Sequence, residues 1–315
     1  MPKKLKYMSE SPNIYLDTPD ALSAILSRLQ LQAEVYVNGD FCGDWGVDTS
    51  GSRRIPFHLL GRGQAWLHME GSSEQMLTSG DLVIFPHDHQ HVVAGSPELP
   101  PKERINAEIS EQDGPITNMV CGFFEFQNKA AWPLLDSLPS VIVLDLGDQS
   151  ASPVVRTLIE LMIAELDREQ PGYYAVINQL AALLFVQVIR QQIRGGQLET
   201  GLLAALFDGK ISKALAAMHN HPEQSWTLEQ LAQQATMGRS SFAQRFHELV
   251  GTPAMQYLAA WRMREARLLL KTSNYSMADI AERSGYESEA AFRKAYKKIV
   301  GETPGATRRQ AKQRT

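Results

Sequence analysis

The sequence predicts an α+β protein: an N-terminal β-barrel-like domain, a helical segment, and an all-α C-terminal domain holding two helix-turn-helix units. Three observations carry this. The first third of the chain is broken into short apolar runs by turn residues. Near residue 152 the pattern switches to a helical period. Beyond residue 210 a stretch of sequence is written twice, about fifty residues apart.

The short runs lie between Val35 and Leu146. Ala65-Trp66-Leu67-His68-Met69, Leu82-Val83-Ile84-Phe85 and Val141-Ile142-Val143-Leu144 are of strand length. They are bounded by Gly61, Gly63, Gly71, Gly80-Asp81 and Pro86, residues that turn or stop a strand. Many short strands without intervening helices form a barrel or a sandwich.

Val154, Leu158, Leu161, Met162 and Leu166 then follow the 3.6-residue period. Pro171-Gly172 interrupts it. Tyr174 to Ile193 is a long helix too apolar to bury one face alone, so a second surface must cover it. A twin in a homodimer is the expected cover, with the barrel of the same chain as the alternative. Gly195-Gly196 ends this helix. The expected domains are 1–150, a helical dimerisation segment at 151–195, a linker at 196–209, and a DNA-binding domain at 210–312.

In the first repeat, Thr227 with Gln230 three residues later forms a capping box. Leu228, Leu231, Ala232 and Ala235 make one buried stripe, and Gly238 sits in the turn as a small or φ-positive residue. A second helix starts near Arg239 and buries Phe242, Phe246, Leu249 and Val250. Its opposite face carries Ser240 and Gln244, with Ser241 and His247 at the edges. Gln pairs bidentately with adenine, and Ser accepts or donates. In the second repeat, Ser276 and Asp279 replace the capping pair, Gly285 takes the turn, and Ser288 caps the next helix. That helix buries Phe292, Ala295, Tyr296 and Ile299 and presents Ala290, Arg293, Lys294 and Lys297, a basic face suited to phosphates. Ala254 to Lys271 connects the units, with Met255, Leu258, Trp261, Leu268 and Leu269 inward.

Charge supports this division. Lys210 to Thr315 carries a net +8, while the rest of the chain carries −12. A basic part joined to an acidic one marks a nucleic-acid module attached to something else. With 43 % hydrophobic and 21 % charged residues the composition is that of a soluble globular protein, and no apolar run is expected to span a bilayer. The basic Met1-Pro2-Lys3-Lys4-Leu5-Lys6 lacks a following apolar stretch, so no secretory signal is expected. Two cysteines fit a cytoplasmic setting rather than a disulfide framework.

Lys210 to Arg308 resembles the AraC/XylS family of bacterial transcription regulators. The resemblance rests on Trp226 to Ala232, Ser240 to Phe246, Trp261-Arg262-Met263, and above all Ile280-Ala281 through Ser284-Gly285-Tyr286 to Phe292. It implies two recognition helices on a rigid linker helix, entering successive major grooves. By the match, base-reading positions fall at Ser240, Ala243 and Gln244, and at Glu289, Ala290, Arg293 and Lys294.

Phe57 to Leu67 and Leu77 to His91 resemble the cupin-type sensor domains found ahead of such DNA-binding domains. Five histidines, His58, His68, His87, His89 and His91, fall in this region. Cupin metal sites use a His-x-His pair, a downstream Glu and a later His. His91 takes the place of the later one, and His58 stands where the pair is missing, so no metal and no cofactor are assigned. Cys42, before Gly43-Asp44-Trp45, and Cys121, before Gly122-Phe123, resemble positions of a sensor subfamily some of whose members respond to oxidants. Cys42, Cys121, His58 and His91 are the candidate sensor residues. The expected function is a non-enzymatic, sequence-specific regulator binding double-stranded promoter DNA, controlled by a small molecule or oxidant. A homodimer is expected, RNA polymerase is a further candidate partner, and no membrane is involved.

Overall fold

A computed structural model describes residues 20–29, 31–107, 114–126, 135–145, 152–168, 170–194 and 200–312. The basic N-terminal residues, Leu146 and Gly195-Gly196 lie outside these. Two compact units emerge: Leu29–Leu203, and Ala204–Thr315 with Met1–Arg28, whose described part holds α1 (Ala21–Leu29).

Among the described residues the first unit contains nine strands, all paired antiparallel. They are β1 (Leu31–Phe41), β2 (Gly46–Val47), β3 (Ile55–Arg62), β4 (Gln64–Met69), β5 (Gln75–Thr78), β6 (Leu82–Ile84), β7 (His91–Ala94), β8 (Thr117–Phe126) and β9 (Ile142–Leu144). One sheet runs β1-β8-β3-β6-β9 and the other β2-β7-β4-β5. The expected barrel is therefore corrected to two separate sheets among the described residues. Strands β2 and β9, only two and three residues long, sit at sheet edges and offer too few groups to close a barrel. Phe41, Leu60, Leu67, Leu77, Val83, Phe85, Val93, Met119 and Cys121 fill the space between the sheets.

Strand β8 is buried on both faces. Met119 and Cys121 point into that core, while Phe124 and Phe126 meet Phe185 of a helix, with Phe124 and Phe185 centroids 4.7 Å apart. That helix is α3 (Tyr173–Arg194), which packs on β1 and on α2 (Pro153–Arg168). Asn178 Oδ1 accepts the Val35 amide at 3.0 Å, satisfying a donor of the β1 edge. Helix α3 is, by length and apolarity, long enough to cross a membrane (mean hydropathy 1.3), which corrects the expectation that no such run exists. Its Ile177, Ala181, Leu184, Phe185, Val188 and Ile189 are buried in the protein. Val176 and Leu183 of α3, and Val154 and Leu161 of α2, stay exposed.

The second unit is helical. It comprises most of α4 (Leu202–Phe207), which starts in the first unit, and α5 (Ile211–Asn220), α6 (Leu228–Gln234), α7 (Arg239–Val250), α8 (Ala254–Thr272), α9 (Met277–Arg283), α10 (Glu289–Val300) and α11 (Pro304–Lys312). The stretch expected as linker thus contains a helix, because Leu202, Leu203, Ala205 and Leu206 find buried positions. Helix α8 is the shared spine, packing on α7 and on α9, α10 and α11. Its buried stripe begins at Ala254, Tyr257, Leu258 and Trp261 and shifts to Met263, Ala266 and Leu270. Met255 was expected inside but is exposed, and Leu268 and Leu269 are only half-buried. The reason is that the two ends of α8 serve different neighbours, so its apolar face turns partway along. Ile299, also expected inside, is exposed on α10.

Candidate DNA interface and sensor cavity

The two helix-turn-helix units are α6–α7 and α9–α10. Both capping boxes form. Thr227 accepts the Gln230 amide and Gln230 Oε1 accepts the Thr227 amide at 2.9 Å. Ser276 and Asp279 do the same, and hydrogen bonds from Ser276 hold the Asp279 carboxyl below its usual range. Ser288 Oγ accepts the Ala291 amide and caps α10. The turn glycines differ from expectation. Gly238 has φ −68°, and Thr236 adopts the left-handed conformation (φ 52°) in its place. Gly285 does have φ +72°.

The expected reading residues lie on exposed faces. Arg239, Ser240, Ser241 and Gln244 are exposed on α7, with Ala243 half-buried. Ala290, Arg293, Lys294 and Lys297 are exposed on α10, with Glu289 half-buried. Phe242, Phe246, Phe292 and Tyr296 anchor the opposite faces in the core. Several reading side chains are oriented by neighbours one helical turn away. Gln244 Nε2 donates to Glu248 Oε1 at 2.9 Å, and Arg293 Nε donates to Glu289 Oε1 at 2.7 Å. Sequence reasoning missed Arg245, whose Nη2 lies 3.1 Å from Asp208 Oδ2. Asp208 also accepts the Lys210 and Ile211 amides at the start of α5. Burial pushes its carboxyl up, but these amides and the Arg245 guanidinium together hold it low. The signal available was the Asp just before an apolar helix, a capping pattern.

In the first unit, register places His58 of β3 opposite Cys121 of β8, with His58 Nδ1 3.1 Å from Cys121 Sγ. His91 belongs to the other sheet. Its Nε2 lies 3.2 Å from His58 Nε2, so the pair spans the two sheets. Thr49 Oγ1 lies 3.2 Å from His58 Nε2 and 3.0 Å from His91 Nε2. The tautomers follow from one fixed acceptor. His89 O, 2.7 Å from His91 Nδ1, only accepts, so that nitrogen donates and His91 Nε2 accepts. His58 Nε2 then donates, directly or through Thr49, and His58 Nδ1 accepts a hydrogen bond from the Cys121 thiol. Every ring stays neutral. Burial, reinforced by His91, holds His58 down to about 3, and burial lowers His91 as well. Burial raises the Cys121 thiol, so it stays protonated.

Among the described residues no group of three His, Cys, Asp or Glu is arranged to hold a metal. Nδ1 of each histidine is engaged, one by Cys121 and the other by His89 O. His68 and His87 lie elsewhere, near Ser96 O and Leu138 O.

Beside the cluster opens a cavity of about 750 Å³, lined by Cys42, Trp45, Thr49, Arg54, Cys121 and Phe123 among others. It brings the two cysteines to one space. Cys42 is partly exposed and Cys121 buried, and both are free thiols. Phe41 and Trp45 meet in a tilted contact at 4.9 Å on its wall, and Arg54 lies 3.8 Å over the Phe123 ring. His58 and His91 stand behind Cys121 and Thr49 rather than on the lining.

Comparison with known proteins agrees with both halves. The cupin family matches residues 20–194, and a helix-turn-helix domain family matches residues 231–310. The chain belongs to the AraC-type transcription regulators with an N-terminal cupin domain. The regulator AlkR of Acinetobacter baylyi is 29% identical over 307 residues, 93% of this chain and 100% of that one. A putative AraC-like regulator of Streptomyces lividans is 28% identical over 299 residues, 92% and 97% of the two chains. The RCS-specific activator RclR of Escherichia coli is 29% identical over 297 residues, 93% and 99%. As an AraC-type DNA-binding regulator, the chain has double-stranded DNA as its partner.

Proposed function

We propose that this AraC-type regulator is a cytoplasmic, sequence-specific reader of promoter DNA. A small molecule or oxidant entering the cupin cavity changes its promoter binding. The observation that carries the reading is the pair of exposed helix faces, on α7 and α10, mounted on one spine helix. Ser240, Ser241, Gln244, Glu289, Ala290 and Arg293 face base edges, while Arg239, Lys294 and Lys297 also hold phosphates. Selection of bound sequences from a random library, followed by footprinting, tests this. Enrichment of a two-part, asymmetric motif is expected, and binding without sequence preference would refute it.

The cavity supports the sensing half. Its partly exposed Cys42 meets an incoming oxidant before the buried Cys121 does. Promoter binding is measured before and after mild oxidant in the parent, Cys42→Ala and Cys121→Ala. Altered binding in the parent alone is expected; identical responses in all three would end the oxidant reading and leave a small molecule as the signal. The exposed Val154, Leu161, Val176 and Leu183 are assigned to a homodimer, which analytical ultracentrifugation checks. No catalytic role is assigned. RNA polymerase is the partner expected if the bound chain activates.

A further inference from the structure

The two helix-turn-helix units meet at a seam where Arg262 of the spine helix stands. Arg262 of α8 donates from Nε to Pro222 O at 2.6 Å and from Nη2 to Gln224 O at 2.7 Å. These carbonyls belong to the loop that leads into α6, part of the first unit. The same guanidinium lies against the turn of the second unit, 6.0 Å from the Tyr286 ring centroid. A Cβ added at Gly285 would stand 2.8 Å from Arg262 Nη2 and 2.7 Å from Glu223 O. So the backbone of the first unit lies directly on the turn of the second, with the Arg262 fork between them. A residue larger than glycine at 285 would force the units apart, beyond the strain of its φ of +72°.

We propose that Arg262 is a positioning residue that fixes the distance and angle between the two recognition helices, and thereby the spacing of half-motifs the chain accepts in DNA. The inference rests on the reading of α7 and α10 as a two-part reader. The physical reason is leverage. The 19 residues of α8 span about 28 Å, so a small roll of either unit about the spine displaces its reading face by ångströms. Successive major grooves recur roughly every 34 Å, and base-edge hydrogen bonds tolerate little displacement. Packing on α8 holds each unit by apolar contacts, which permit sliding. The guanidinium fork instead binds two carbonyls of one unit in a single plane while covering the turn of the other. A lysine keeps the charge and the stem but places one compact ammonium where the planar fork stood, and cannot match both carbonyls. Neither the apolar stripes nor the charge count contains this information.

The test uses the full chain and the site that the parent enriches from a random library. Three probes are compared: that site, the site with either half-motif scrambled, and the site with one base pair inserted or removed between the halves. Arg262→Lys is expected to bind the parent site at least tenfold more weakly, and the single-half probes within twofold of the parent chain. It should also lose the penalty for changed spacing. Gly285→Ala, which perturbs the seam with Arg262 intact, is expected to relax spacing in the same way. Equal loss on whole and half sites, from local unfolding or otherwise, overturns the proposal, as does a retained spacing preference in both variants. A parent chain that enriches no sequence overturns the two-part reading itself, and this proposal with it.

Discussion

The two helix-turn-helix units share a plan and differ in what they show to solvent. Both start with a capping box, both bury two aromatic rings on the second helix, and both recognition helices end at a left-handed glycine, Gly251 and Gly301. The buried pairs meet alike in tilted contacts, Phe242 with Phe246 and Phe292 with Tyr296, each with centroids 5.6 Å apart. Outside, α7 offers Ser240, Ser241 and Gln244 beside Arg239 and Arg245, while α10 offers Arg293, Lys294, Lys297 and Lys298. The turns also part company, since the first leaves its glycine unstrained and the second presses its glycine against the other unit. The features that fold a unit are common to both, and the exposed surfaces differ. On the function proposed above, one unit discriminates bases and the other grips the backbone as well.

The largest expected effect tests the shared plan. Phe242→Ala and Phe292→Ala should each cost about 3–5 kcal/mol, read by thermal or denaturant unfolding, because both rings are fully buried. A much smaller loss for one would show that the cores are not equivalent. The next effect tests the divergence. Gln244→Ala should change the preferred base at one position, costing about 1–3 kcal/mol on the parent site. Lys297→Ala should instead weaken all sequences alike and lower the salt slope by about one. An unchanged preference in Gln244→Ala would break the assignment of roles.

A third prediction sets both helical units against the two-sheet unit, which carries the deeply buried His58. Its pKa is lowered from 6.5 in the unfolded chain to about 3 in the fold, so between these values the unfolded state binds more protons. Stability of Leu29–Leu203 is then fully present above pH 6.5 and falls as the pH drops toward 3. About 2 kcal/mol should be lost by pH 5, with His91 acting in the same direction. Unfolding curves at pH 7.5 and 5 check this, and His58→Phe should flatten the dependence. The smallest effect returns to the repeat. Thr227→Ala and Ser276→Ala should each cost about 1 kcal/mol, being cap losses at exposed helix starts. A marked inequality would mean that one box is held by tertiary contacts.

The fold of the helical unit was legible because its rules are local. A Thr followed by Gln three residues on, or apolar residues at i, i+3, i+4 and i+7, states its structure within one or two turns of helix. The faces of α7 and α10 could be phased the same way, so Gln244 and Lys297 were placed outside before any coordinates. The two-sheet unit was legible as strands but not as a closed or open structure, since closure depends on edge pairing between distant segments. Arg245 and Asp208, thirty-seven residues apart, gave only the hint of a cap.

By itself, then, the sequence determined most of the helix and strand segments, which faces of α7 and α10 lie outward, and which family the chain resembles. Tertiary structure decided what those segments meet. It turned the apolar face of α8 partway along, buried α3 against β1 and β8, and brought Cys121, His58 and His91 together from two sheets. It set Arg262 on a seam about forty residues away in one direction and Gly285 in the other. The reason is the range of the forces. Backbone hydrogen bonding and apolar periodicity act between near neighbours in sequence. Ion forks, histidine pairs and sheet edges are satisfied by whatever the folded chain brings within 3 Å.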